Sequence, residues 1–282
     1  AILKLELSGP EHLVEECSML DIELVPCSEI TRAVEIFSRD GFVALSDTLS
    51  PDQLTFARAG AQRVVEEQQR ATPFEEANRG YARYSFGQQI HHPEWAMLVD
   101  LPTVLPVLDA IWGSPDYTCS GAGGDYSHPG AKIQHLHSDI NDVIADPLGQ
   151  VNIYDLPAPF IVINYLMTDF TVENGAIRFV PGTQRTRVRP PALEDEPIHW
   201  REAAACAPAG TAIVRDVRTW HGGTANRSTA PRIMTSAGYF APWFMRSGSE
   251  DALPLAQYEA MSERGQRMCR YIVDWQGEKT GS

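Results

Sequence analysis

From about Tyr117 onward, short apolar or alternating runs at 132–139, 160–167, 176–180, 212–216 and 233–239 are separated by Gly, Pro, Asp and Asn. This punctuation constrains the fold more than any other feature of the chain. Such runs are too short for helices, and several of them with turn residues between build a sandwich or barrel. The preceding part reads as helical. Ile30, Ala33, Val34 and Phe37 recur at helical spacing, with Ser28 as cap and Gly41 just past the end. Phe42, Val43, Ala44 and Leu45 then read as a short strand. Ser50, Pro51 and Gln53 form a capping box for a second helix, whose buried stripe is Leu54, Ala57, Ala61 and Val64. A third helix is expected over 103–112, closed by Gly113, and helical character returns around 255–275. Asn174-Gly175 and Pro181-Gly182 read as turns, and Gly121-Ala122-Gly123-Gly124 as a loop. The expectation is one mainly β domain with flanking helices over 1–282. Its helical flank covers about 1–115, its double-sheet core about 116–245 and its helical tail about 250–276.

Charge and cysteine usage narrow the partners. Lys and Arg number 23 against 37 Asp and Glu, a net charge of −14, which argues against nucleic acid and anionic lipid surfaces. No run reaches the roughly 18 apolar residues of a spanning helix. The best, 156–167, is broken by Pro157, Pro159 and Asn164. Residues 1–30 lack a signal-peptide layout. Cys17, Cys27, Cys119, Cys206 and Cys269 are odd in number and contain no Cys-x-x-Cys pair, unlike a disulfide framework or structural zinc site. A cytoplasmic protein acting on a small molecule, without nucleic-acid or membrane partners, is expected.

The chemistry concentrates in Gln134-His135-Leu136-His137-Ser138-Asp139. On a strand, side chains two apart share a face, so His137 and Asp139 can occupy adjacent corners of one metal's coordination sphere. A third ligand must come from elsewhere. His221, before Gly222-Gly223, is the best candidate, and His135 is the alternative or a substrate-facing residue. Two histidines and a carboxylate on one side of a metal are the facial triad of non-haem Fe(II) oxygenases. The other histidines have no partner at ligand spacing.

Four ordered blocks carry a resemblance. His137-Ser138-Asp139, the stretch from Asp169 through Asn174-Gly175 to Pro181-Gly182-Thr183, His221-Gly222-Gly223-Thr224-Ala225-Asn226-Arg227-Ser228, and Arg232 together resemble the phytanoyl-CoA dioxygenase family. The resemblance implies a double-stranded β-helix (jelly-roll, cupin-like) core and an enzyme using Fe(II), 2-oxoglutarate and O₂. It implies His137, Asp139 and His221 as iron ligands and Arg232 as partner of the distal carboxylate of 2-oxoglutarate. A guanidinium fork suits that carboxylate. It places Gln134 near cosubstrate or substrate, and Asn164 on the strand lining the cosubstrate pocket or else as a satisfied core amide. Gly223 stands where other members carry a hydroxyl, so Thr224 is the candidate to supply it. Because Asp139 retains the carboxylate that related halogenases lack, hydroxylation, desaturation or oxidative rearrangement is implied rather than halogenation.

Substrate signals are thinner. Tyr81, Tyr84, Phe86, Trp243 and Phe244 could wall a pocket for a medium-sized, largely apolar metabolite, with core packing as the plainer reading of any single one. The alternating Arg185, Arg187 and Arg189 keep an acyl-CoA or carboxylated substrate open, with a solvated edge as the plain alternative. A metal-binding jelly-roll sensor without turnover is the competing class.

Overall fold

The computed structural model describes residues 19–245 and 252–275. Strand β1 (Leu24–Pro26) leads into helix α1 (Ile30–Asp40), strand β2 (Phe42–Ser46) and helix α2 (Pro51–Ala71). Ser50 caps α2 with the full reciprocal box to Gln53, as its sequence predicts. Ser28 is not the cap of α1. The Glu29 amide turns back onto the Pro26 carbonyl, so the helix starts at Glu29 without a side-chain cap. Strand β3 (Arg83–Ser85), helices α3 (Pro93–Val99) and α4 (Leu105–Trp112) and strand β4 (Thr118–Ser127) follow. Gly113 closes α4 in the left-handed conformation. Then come β5 (Phe160–Leu166), β6 (Ile177–Phe179), α5 (Ile198–Arg201), β7 (Ala212–Asp216), β8 (His221–Gly223) and β9 (Arg232–Phe240). Strand β10 (Leu253–Pro254), helices α6 (Leu255–Ala260) and α7 (Glu263–Cys269) and strand β11 (Val273–Asp274) form the tail. Among the described residues no helix is long and apolar enough to cross a membrane.

Seven strands make the main sheet, in the order β1-β2-β7-β5-β9-β4-β3, antiparallel except for β1 beside β2. Period-2 alternation sends Val43, Ile163, Tyr165, Val214, Ala237 and Tyr239 outward, onto Ala57, Ala61, Val64, Trp95 and Leu98 of the helices. The opposite residues, Phe42, Leu166, Ile213 and Met234, face a second layer through Phe170, Ala176, Ile177 and Phe179. That layer is β6 paired with β8, extended by single bridges from His137 to His221 and from Arg178 to Ala204. Two facing sheets with helices on one outer side are a jelly roll.

Two expectations need correction. Residues 121–124 are not a loop but the middle of β4, at a bulge after Cys119. Their glycines answer to close backbone approach. A Cβ on Gly123 would stand 2.1 Å from the Gly87 carbonyl, and one on Gly124 2.2 Å from that of Met234. Nor is 132–139 a regular strand. Backbone bonds join it to β8 at Gln134 and His137, and the Gln134 side chain accepts the Gly223 amide at 2.9 Å in place of a ladder carbonyl.

Candidate metal centre

Three backbone anchors bring the ligand candidates together. His137 and His221 exchange both amide–carbonyl bonds at 3.0 Å, and the Asp139 amide donates to the Val217 carbonyl at 2.8 Å. A Cβ on Gly222 would meet the His135 carbonyl at 3.0 Å, so glycine allows β8 to lie close against the ligand segment. The loop ahead of His221 is braced from the helical flank. Gly41 ends α1 at φ +83°, and its carbonyl accepts the Thr219 hydroxyl at 3.0 Å. Its missing Cβ would otherwise stand 2.3 Å from that hydroxyl.

His137, Asp139 and His221 offer ligand atoms that all lie within 4.8 Å of one another. Each imidazole donates Nδ1–H to a backbone carbonyl, His137 to His135 at 3.2 Å and His221 to Thr219 at 2.9 Å. That selects the tautomer whose Nε2 lone pair is free for a metal. Both Nε2 atoms face Asp139 Oδ1, at 3.8 and 3.7 Å. Burial holds both imidazoles below the ordinary histidine value, His221 at about 3, with the Arg215 charge adding to the effect. Burial alone would raise the Asp139 carboxyl. The charge of Arg215 and the hydrogen bond it donates outweigh it and hold Asp139 ionised. Two neutral imidazoles and a carboxylate on one wall of a cavity fit a divalent first-row metal with open positions.

The same cavity, about 80 Å³, is lined by Gln134, Arg83, Asp125, Arg232 and Met234. Arg83 on β3 and Arg232 on β9 both pair in register with Ser127 of β4, so the three share a face. Arg232 is buried, giving Nε to the Gly175 carbonyl at 3.1 Å and Nη1 to that of Asp125 at 3.3 Å. Arg83 gives Nη2 to the carbonyls of Thr224, at 2.8 Å, and Lys132, at 3.2 Å. Burial presses Arg83 down to about 10, and burial plus the Arg83 charge presses Arg232 down to about 9. The Ser127 hydroxyl between them is buried without a partner. Two confined cations beside an orphaned hydroxyl fit a ligand carboxylate.

Sequence reasoning missed Arg83. Its only trace is Gly223, where a Cβ would stand 2.2 Å from Arg83 Nη1. The glycine leaves room for this guanidinium. Thr224 does not turn its hydroxyl to the cavity; it donates to the Ala176 carbonyl at 2.8 Å. Asn164 lies outside the cavity lining and accepts from Arg215 Nε at 3.0 Å. His135 stands apart from the triad, exposed, on the wall of an adjoining groove.

That groove, about 960 Å³, shares Arg79, Arg83, Gln134 and His137 with the cavity and continues past Tyr81, Lys132 and Pro190 to Glu194. A second hollow beyond His135 reaches Asp142, Tyr154, Arg187, Arg189 and Trp220. Most of the aromatic candidates take the core reading rather than the pocket one. Tyr84 and Phe86 belong to the core beneath the helices, and Phe244 packs on Phe240. Of that group only Tyr81 lines the groove. Arg185 holds the carbonyls of Tyr154, Asp155 and Leu156, and Arg187 pairs with Asp155 at 2.6 Å. Across the same mouth, the loop after Asp139 closes on itself. Asp146 accepts the amides of Leu148, Gln150 and Val151, and Asp142 accepts those of Ile144 and Ile153.

Residues 37–234 match the family model for phytanoyl-CoA dioxygenase (PhyH). The dioxygenase andF of Emericella variicolor is 30% identical over 158 residues, 54% of this chain and 51% of that protein. The iron/alpha-ketoglutarate-dependent dioxygenase okaE of Penicillium ochrochloron is 36% identical over 98 residues, 35% of this chain and 30% of that protein. The chain thus spans about half the length, or less, of these relatives. Among solved structures, the non-heme alpha ketoglutarate dependent epimerase SnoN superposes with a TM-score of 0.57 at 18% identity, covering 76% of this chain and 81% of that one. EctD from S. alaskensis with 2-oxoglutarate and 5-hydroxyectoine gives 0.57 at 18%, covering 79% and 82%. At such identity the likeness speaks for the jelly-roll fold alone.

Proposed function

The chain belongs to the phytanoyl-CoA dioxygenase family, and on that premise we propose that it is an Fe(II)- and 2-oxoglutarate-dependent dioxygenase of a medium-sized free small molecule. The observation that carries this reading is the convergence of His137, Asp139 and His221 on the cavity that also holds Arg232. His137 and His221 would hold the iron through Nε2 and Asp139 through Oδ1. Arg232 and Arg83 would take the distal carboxylate of 2-oxoglutarate, and Gln134 fixes the wall between β8 and the ligand segment. Bound iron would supply O₂ activation coupled to cleavage of 2-oxoglutarate into succinate and CO₂. The protein's own contribution is orientation, a neutral pair of imidazoles and a confined cavity. The carboxylate at Asp139 supports hydroxylation, desaturation or oxidative rearrangement of the substrate over halogenation.

Fungal relatives named as dioxygenases, one of them iron/alpha-ketoglutarate-dependent, support this reading, and a secondary metabolite is the substrate class proposed with it. The groove itself bears on its chemistry. With Arg79, Lys132 and His135 on its walls beside Ile133, Pro190 and Leu193, it suits a guest with an apolar body that also carries a carboxylate or other polar group. Succinate release from 2-oxoglutarate under air, with Fe(II) added, tests the reading across terpenoid, polyketide, alkaloid, carboxylated and acyl-CoA candidates. Stimulated release, lost in His137→Ala, Asp139→Ala and His221→Ala but kept in His135→Ala, is expected. Metal binding without succinate for any candidate would leave a jelly-roll sensor instead.

A further inference from the structure

Arg215 lies on β7 two residues beyond Ile213, so strand alternation turns it toward the space between the two sheets. Its side chain is 8% exposed and lines the cavity of the triad. Nε donates to Asn164 Oδ1 at 3.0 Å, and Nη1 donates to Asp139 Oδ2 at 2.7 Å. Asp139 Oδ1 is left facing the two imidazoles, at 3.8 Å from His137 Nε2 and 3.7 Å from His221 Nε2. The two oxygens of one carboxylate are thus divided between a guanidinium and the place of the metal.

We infer that Arg215 is a positioning residue for the metal-ligating carboxylate, with Asn164 as the anchor that fixes its guanidinium. The inference rests on the reading of His137, Asp139 and His221 as metal ligands. A carboxylate free to turn can offer a metal one oxygen or two. Two-oxygen binding would occupy a position that a cosubstrate or O₂ needs. A charge-assisted bond to Oδ2 restricts Asp139 to Oδ1 and orients that oxygen before the metal binds. Register supplies the geometry. Arg215 pairs with Val162 and Ile213 with Asn164, so the Asn164 amide sits diagonally across β5 from the guanidinium stem. Position 164, expected to line the cosubstrate pocket or stand as a satisfied core amide, is a buried amide satisfied by Arg215, and through it orders that wall.

Co(II) in place of iron tests this without turnover, because its visible absorption reports ligand number and symmetry. Arg215→Met keeps length and burial while removing both bonds. It is expected to weaken Co(II) binding about 10- to 100-fold and to change the absorption spectrum. Arg215→Lys keeps the charge but cannot reach both partners, so its affinity should fall between parent and Arg215→Met. Asn164→Ala should show the same spectral change with a smaller loss of affinity. Thermal unfolding and circular dichroism establish that each variant is folded. If Arg215→Met does not fold, Arg215→Lys and Asn164→Ala decide. Parental Co(II) affinity and spectrum in the folded variants overturns the inference. Failure of the parent protein itself to bind Co(II) or Fe(II) would instead sink the metal reading on which it stands.

Discussion

A guanidinium taken out of water asks for an anion, and among the described residues Arg232 meets the carbonyls of Gly175 and Asp125 and the ring of Phe170 but pairs with no carboxylate. The Arg83 charge nearby sharpens the demand. Replacing Arg232 by Met should therefore weaken 2-oxoglutarate binding by about 2–5 kcal/mol while leaving Co(II) binding intact. Calorimetric titration of the Co(II)-loaded protein with 2-oxoglutarate measures it, and an unchanged affinity would move the role to Arg83 alone. At this scale the ligands were legible in sequence because metal chemistry demands particular residue types and a strand spaces two of them together. His135 remained an open alternative to His221 until family resemblance favoured the latter. Arg83 and Arg215 were not legible. Their partners Thr224 and Asp139 lie 141 and 76 residues away, joined by cross-strand register that no local spacing encodes. The direction of the Thr224 hydroxyl was equally hidden, since it depends on where the Ala176 carbonyl ends up.

Elements whose signals are local could be read in advance. The capping box at Ser50, the left-handed stops at Gly41 and Gly113 and the alternation of β5, β7 and β9 each depend on a few neighbouring side chains. Strand β4 defeats the same reasoning because its glycines look like a loop. Their role appears only when β9 and the 86–88 segment are in place against them. Gly124 is the sharpest case, at φ +129° with its Cβ position 2.2 Å from the Met234 carbonyl. Gly124→Ala combines backbone strain with an overlap against backbone that cannot rotate away. It should lower stability by roughly 2–5 kcal/mol, summing typical strain and overpacking costs. Urea unfolding gives the number, and a variant within about 0.5 kcal/mol of the parent would contradict the close approach of β4 and β9.

For the molecule as a whole, one apolar cluster runs from Val25 to Val273, so flank, sheet and tail share a core. The site also loads the stability of the whole. His221 is held at about 3, against 6.5 in an unfolded chain. Between those values the unfolded protein binds a proton that the native protein refuses. Its depressed value therefore contributes nothing above about pH 6.5 and destabilises the metal-free fold progressively as pH falls toward 3. In urea unfolding of the metal-free protein between about pH 4 and 7, His221→Gln should flatten the dependence. Parallel curves for parent and variant would show that the imidazole titrates alike in both states. The loop sealed by Asp142 and Asp146 has a different consequence. Its carboxylates satisfy its own amides. Its ends are tied to the ligand segment by the Ser138 hydroxyl on the Ile140 carbonyl and by Ile140 and Ile153 packed with Val217, and Asn141 and Asp142 line the hollow beyond His135. Between Ile140 and Ile153, which pack with Val217, length and sequence can change while the bond from the Asp139 amide to the Val217 carbonyl stays in place. The scaffold thus separates a heritable reaction from an exchangeable choice of guest, and evolution can revise the second while conserving the first.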